Sequence, residues 1–251
     1  MPADLNSLRV DLAAESDELF RLLNGADLSL ATPAEGWTIH DQVTHLAYYD
    51  HATRLAITDP DRFRRDALGE PETVAVRYRA LMVPEVVPWL RRERDELLRI
   101  YTTLPADRRL PWFGPAMSVA SSITARLMET WAHGQDIADA LGVPRRPSGR
   151  LRHIAHLGVR TFGWSFQVHG RPDPGIPVRV ELDAPDGSRW EWGPQEAVDR
   201  VTGPAEDFCL VVTQRRHVAA TALEATGPAA IEWLSLAQAY AGPPGSGRPR
   251  N

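Results

Sequence analysis

The sequence predicts a mainly α-helical protein that ends in a small α+β unit. Three observations carry this expectation. Between residues 5 and 168, long stretches place apolar residues at helical spacing. Those stretches are punctuated by Asn24-Gly25, Asp59-Pro60 and Gly142 with Pro144, which stop helices. After about residue 170 the pattern changes to the alternation expected of strands.

Taken in order, residues 5–24 carry Leu5, Leu8, Val10, Leu12, Leu19, Phe20 and Leu23, an amphipathic helix. Ala31 to Gly36 is a loop. Thr38 with Asp41 three residues later resembles a capping box, and a helix then runs to about Thr58. A short helix over 61–68 follows. Pro84 suits the first turn of a helix reaching Leu104, with Glu85, Val86, Trp89, Leu90, Glu93, Leu97 and Ile100 in its period. Met117 to Leu141 is the clearest helix, and 151–168 is helical again. Val178–Leu182 and Ser188–Trp192 flank Pro185-Asp186-Gly187 and read as a β-hairpin. Residues 197–202 form a further strand, and 204–215 and 227–240 are helices. The domain plan is a helical bundle over 1–145, whose last helix can reach about 170, then an α+β unit over 171–242. The Gly/Pro/Arg-rich tail over 243–251 is expected to be disordered.

Composition excludes several classes. At 43% hydrophobic and 24% charged, 251 residues suffice to bury a sizeable core in one large domain or two modest ones. Net charge is −5 with no long basic block, so no nucleic-acid partner is expected. The N-terminus does not read as a signal peptide, and no apolar run approaches a membrane span. A cytoplasmic protein with no membrane partner is the expectation. All 28 basic residues are arginine, which removes lysine Schiff-base chemistry and a standard P-loop. The one cysteine, Cys209, forms no internal disulfide. Any metal must therefore use imidazole and carboxylate.

Such ligands are present. Glu129 and His133 lie four residues apart and share a helical face. His45, on the helix after Thr38, falls within the inward arc of that helix. Three protein ligands with positions left open is the arrangement of a catalytic site, not a closed structural one. Asp136 is a fourth ligand or a hydrogen-bond acceptor for a ligand imidazole. His40, Asp50 and His51 point elsewhere on their helix. Without a metal, a Glu-x3-His pair is commonly a surface helix pair, an inward histidine commonly a hydrogen-bonded core residue, and Arg126 could pair with Glu129.

At these residues the chain resembles the DinB-like metal-binding superfamily, and within it the mycothiol-dependent maleylpyruvate isomerase family. The motifs are Gly36-Trp37-Thr38, Asp41 and His45-Leu46, then Glu129-x3-His133 followed by Gly134-Gln135-Asp136-Ile137. The resemblance implies an up-and-down four-helix bundle whose metal ligands are His45, Glu129 and His133. Residues 201–208, 214–216 and 227–234 resemble the small sterol-carrier-like domain that follows the bundle in those isomerases. That family has an essential arginine there, and Arg215 or Arg216 is the nearest match. The implied cofactors are a divalent ion, zinc first with nickel or iron as alternatives, and mycothiol. A thiol-dependent isomerase or transferase acting on a small molecule is the leading expectation. A thiol-free metal enzyme catalysing cyclisation, rearrangement or elimination in natural-product metabolism is the second. A non-catalytic small-molecule carrier, suggested by eight tryptophans, is the third. The sequence does not settle the oligomeric state.

Overall fold

The computed structural model describes residues 4–67, 69–81 and 83–244. The chain divides into two compact units between Arg145 and Arg146. The expected disordered tail lies, from residue 245 on, outside the described residues.

The first unit is built on four long helices: α1 (Leu5–Leu23), α2 (Ile39–Thr58), α5 (Val83–Tyr101) and α6 (Val119–Leu141). Two short helices, α3 (Pro60–Asp66) and α4 (Pro71–Tyr78), lie between α2 and α5. A two-residue antiparallel pair, β1 (Arg109–Leu110) and β2 (Met117–Ser118), precedes α6. Helix α1 packs on α6, and α2 packs on both α5 and α6.

The helix starts are specified locally. The Thr38 hydroxyl accepts from the Asp41 amide at 3.3 Å, and the Asp41 carboxylate accepts from the Thr38 amide at 2.9 Å. This reciprocal capping satisfies two otherwise orphaned donors at the head of α2. Arg79 closes on the same carboxylate at 3.1 Å. Ser118 caps α6, and Gly142, at φ +65°, ends it in the left-handed conformation that glycine adopts without steric cost. Helix α2 is buried on nearly every face, because α3, α4, α5 and α6 all pack against it. His40 and Asp50, read from the sequence as pointing away from the inward arc, are therefore buried too.

Among the described residues, two apolar layers run through the four long helices. One contains Leu8, Leu12, Leu97, Tyr101, Val119, Ile123 and Leu127. The other contains Leu19, Leu23, Ile39, Val43, Leu46, Val86, Leu90 and Ile137. On each long helix a polar residue falls between the layers: Ser16, Asp50, Arg94 and Thr130. Arg94 is the hub. It donates to the Asp50 carboxylate at 2.6 and 3.3 Å, to the Thr130 hydroxyl at 3.0 Å, and to the Ser16 hydroxyl. Arg94 and Asp50 are 1% and 0% exposed, so this belt ties all four helices at one level.

The second unit begins with α7 (Leu151–Arg160) and α8 (Phe162–Val168). It thus starts earlier than the 171 read from the sequence, because α7 packs on α9 (Ala205–Val212) and α8 on α10 (Pro228–Leu236). Gly158 is the contact point, since a Cβ there would meet Val212 at 2.9 Å and Phe208 at 3.1 Å. The expected single helix over 151–168 breaks at Thr161, whose hydroxyl donates to the Leu157 and Gly158 carbonyls. The sheet runs β4-β3-β5-β6, with β3 (Val178–Asp183), β4 (Arg189–Trp192), β5 (Asp199–Pro204) and β6 (Glu224–Thr226). Strand β3 pairs antiparallel with β4 and parallel with β5, and β6 pairs antiparallel with β5. Asp199 accepts from the amides of Ala229 and Ala230, fixing the start of α10.

Candidate metal centre

Helix α2 presents His45, and α6 presents Glu129 and His133 one turn apart. Their ligand atoms all lie within 4.8 Å of one another. His45 Nε2 and His133 Nε2 stand 3.1 and 3.2 Å from the same carboxylate oxygen, Glu129 Oε2. Two ligands about 2.0–2.1 Å from a tetrahedral zinc ion lie roughly 3.3 Å apart, so this spacing suits a shared ion. His45 and His133 are 7% and 8% exposed.

Electrostatics favour the ligating forms. Burial, reinforced by His133, pushes the His45 imidazole down to about 4, leaving a neutral ring at neutral pH. Burial alone would raise the Glu129 carboxyl, but the bonds from His133 and His45 hold it well below the usual carboxylate range. The site therefore holds a half-buried anion between two buried imidazoles.

A hydrogen-bond relay decides how His133 presents itself. The Thr32 hydroxyl donates to the Trp37 carbonyl at 2.9 Å. It therefore accepts from the Gln42 amide nitrogen, also at 2.9 Å. That orients the Gln42 carbonyl oxygen toward His133 Nδ1, with which it pairs. Nδ1 must then carry the proton. Nε2 is then the nitrogen left for ligation, and it faces the Glu129 carboxylate oxygen at 3.2 Å. Two ligand atoms held at that distance can share one cation. The residues thus fit the metal implied by the family resemblance. His45 is less constrained, as its Nδ1 is buried and makes no hydrogen bond.

Aromatic rings wall the site. Trp37 stacks on His133 at 6.1 Å between centroids and lies 5.6 Å from His45. Its indole N–H donates to Glu72 at 2.8 Å. Tyr49 lies 4.6 Å from His45, and its hydroxyl donates to the Gly69 carbonyl at 2.7 Å. Phe63, Trp112 and Phe113 continue this wall beyond Tyr49.

Among the described residues, His45, Glu129 and His133 form the converging group. Asp136 is buried on the same helix but is not part of it. His40 pairs with the Leu81 carbonyl, His51 with Glu93, and Asp50 with Arg94. Arg126 does not pair with Glu129. It lies over Tyr49 and Trp112 instead. Arg215 and Arg216 are half-buried in the second unit just past α9 and donate to the Thr213 and Arg215 carbonyls. Cys209 is buried, and burial raises its thiol well above the usual range, so it is a packing residue rather than a nucleophile. Sequence reading missed Gln42 and Thr32. The one available signal was the spacing of Gln42, three residues before His45 on the same helix.

A His-Glu-His centre between two helices of a four-helix bundle, followed by a small mixed-sheet unit, defines a metal-binding bundle of the DinB type. Comparison narrows the class. Residues 10–138 match the family model described as the mycothiol maleylpyruvate isomerase N-terminal domain. The chain belongs to this family. Residues 174–226 match a second model, described as wyosine base formation. The chain is 46% identical to uncharacterized proteins Rv0036c and MT0041 of two Mycobacterium tuberculosis strains, over 98% of its own length and 100% of theirs. In fold it is similar to crystal structures of the mycothiol-dependent maleylpyruvate isomerase. A histidine-to-alanine mutant of that enzyme aligns with a TM-score of 0.62 at 16% identity, and another structure of the enzyme with 0.59 at 17%. Each alignment covers 85% of this chain and 90% of the other. Among the described residues, no helix is long and apolar enough to cross a membrane.

Proposed function

We propose that this protein is a metal-dependent enzyme acting on a small molecule, and that it is a mycothiol-dependent isomerase or transferase. The observation that carries the reading is the convergence of His45, Glu129 and His133 ligand atoms, with Gln42 fixing His133 so that its Nε2 faces Glu129. A divalent ion bound there, zinc in the first instance, supplies Lewis acidity that activates a thiol or polarises a carbonyl. The chain's own residues do the rest. Gln42 holds His133 in its ligating tautomer. Trp37 and Tyr49 cover the imidazoles and restrict water. Arg215 or Arg216 supplies the guanidinium that the family resemblance assigns to the substrate carboxylate. The sulfur comes from a low-molecular-weight thiol, because Cys209 is buried and protonated.

The test is metal analysis of the purified full chain, followed by assay of cis–trans isomerisation of maleylpyruvate with and without mycothiol. Close to one ion per chain and thiol-dependent turnover are expected. Metal with turnover that ignores the thiol would support the thiol-free enzyme instead. Absence of metal would support a carrier. Loss of turnover in Arg215→Met or Arg216→Met, with metal retained, would locate the arginine.

A further inference from the structure

We propose that Arg126 is a binding residue of the metal centre and takes a carboxylate group of the ligand. Arg126 precedes Glu129 by three positions and His133 by seven, so all three share one face of α6. It is 5% exposed. Its Nη1 is buried with no hydrogen-bond partner. The carboxylate nearest that nitrogen, Asp50, is 4.0 Å away and already receives two bonds from Arg94. One anion thus faces two guanidinium cations, and Arg94 holds it.

The position of Arg126 points to the metal centre. Its guanidinium carbon lies 5.7 Å from the Tyr49 ring centroid and 5.8 Å from that of Trp112. The Tyr49 ring lies 4.6 Å from that of His45. The cation–π contacts offset part of the cost of burying this charge, but they satisfy none of its N–H groups. Glu129 is the other local anion, and the side-chain contacts of its carboxylate among the described residues are with His45 and His133. Once Glu129 ligates a divalent ion, its charge is matched there. Arg126 is then a buried cation beside a second cation, and the deficit is negative charge. A guanidinium fork between two aromatic faces suits a planar carboxylate. The inference deepens the proposed function and rests on a metal being bound.

The experiment is calorimetric titration of the zinc-loaded full chain with maleate, a small dicarboxylate probe. Wild type should bind. Arg126→Met, similar in length but uncharged, should bind at least tenfold more weakly, and Arg126→Lys should recover part of the loss. Zinc content should stay unchanged in both. Equal maleate affinity in wild type and Arg126→Met would overturn the proposal, as would no binding to zinc-loaded wild type at millimolar maleate. If the Met variant does not fold, the wild-type Arg126 Nε–H resonance, assigned with the Lys variant, decides. A saturable shift on adding maleate supports the proposal, and a stationary signal overturns it. A chain that takes up no zinc defeats the metal reading itself. Zinc uptake without dependence on Arg126 defeats only this inference.

Discussion

His133 and Gln42 meet across 91 residues of sequence, with the imidazole Nδ1 against the amide Oε1. The contact sets the direction in which His133 offers its other nitrogen. Replacing Gln42 by Leu removes the acceptor and lets the ring change tautomer or turn. Zinc affinity should fall by about 10–100-fold, the usual cost of losing such a partner. Gln42→Glu keeps an acceptor and should fall less. Competition titration against a chelator measures both, and unchanged affinity in Gln42→Leu would remove the relay from the account.

Metal removal should destabilise the folded chain. Zinc held at about a thousand times its Kd adds roughly 4 kcal/mol to the native state. Stripping it with a chelator should lower the Tm of wild type by several degrees. Glu129→Gln, lacking the charged ligand, should show almost no difference between its two states. An equal Tm shift in wild type and Glu129→Gln would place the ion elsewhere.

The belt around Arg94 is a stability element. Arg94→Met strands the Asp50 carboxylate, which is 0% exposed, inside the bundle. Breaking a buried pair from one side costs about 3–5 kcal/mol. Adding Asp50→Leu should recover much of that loss, because apolar pairs of similar volume replace buried ion pairs well. Urea unfolding reads both. A double variant no more stable than Arg94→Met would mean that the belt contributes through its hydroxyl partners instead.

Glu93 gives the first unit an acid-sensitive contribution. Burial would raise its carboxyl, but bonds from His51 and Arg54 outweigh burial and hold it at about 2, against 4.5 for an unperturbed glutamate. A carboxyl whose folded value is depressed stabilises the native state fully above the unfolded value. That contribution fades as pH falls from about 4.5 toward 2. The partners are partly exposed, so about 1–2 kcal/mol is expected after solvent screening. Glu93→Gln should flatten the stability-versus-pH slope between those limits, as followed by urea midpoints. An unaltered slope would assign the acid sensitivity to other carboxylates.

Much of this was legible in sequence, and the exceptions have physical reasons. The four long helices announced themselves through apolar period and caps, and the Thr38–Asp41 box is present as read. Helix α4 was missed because Val74 and Ala75, adjacent in sequence, are its buried residues, and two neighbours make no stripe. Strands β1 and β2 are two residues each, and β6 is three, so pairing defines them rather than pattern. His45, Glu129 and His133 stood out through side-chain type and spacing. Arg126 did not, because helical spacing offers it Glu129 as a partner. Which neighbour it faces instead depends on where Tyr49 and Trp112 come to lie. Thr32 lacks any signature and Gln42 has only its spacing from His45, since an amide and a hydroxyl acquire meaning only from the atoms opposite them.

The relay that orients His133 ends on the backbone carbonyl of Trp37. A glutamine amide can flip, a hydroxyl can swing and an imidazole can move its proton, but a peptide oxygen only ever accepts. That one atom imposes a sense on every bond between it and the metal centre. Whatever side chain occupied position 37, the same oxygen could remain. The chemical polarity of the site is thus inherited from the course of the main chain, which mutation at that position changes far less readily than it changes a side chain.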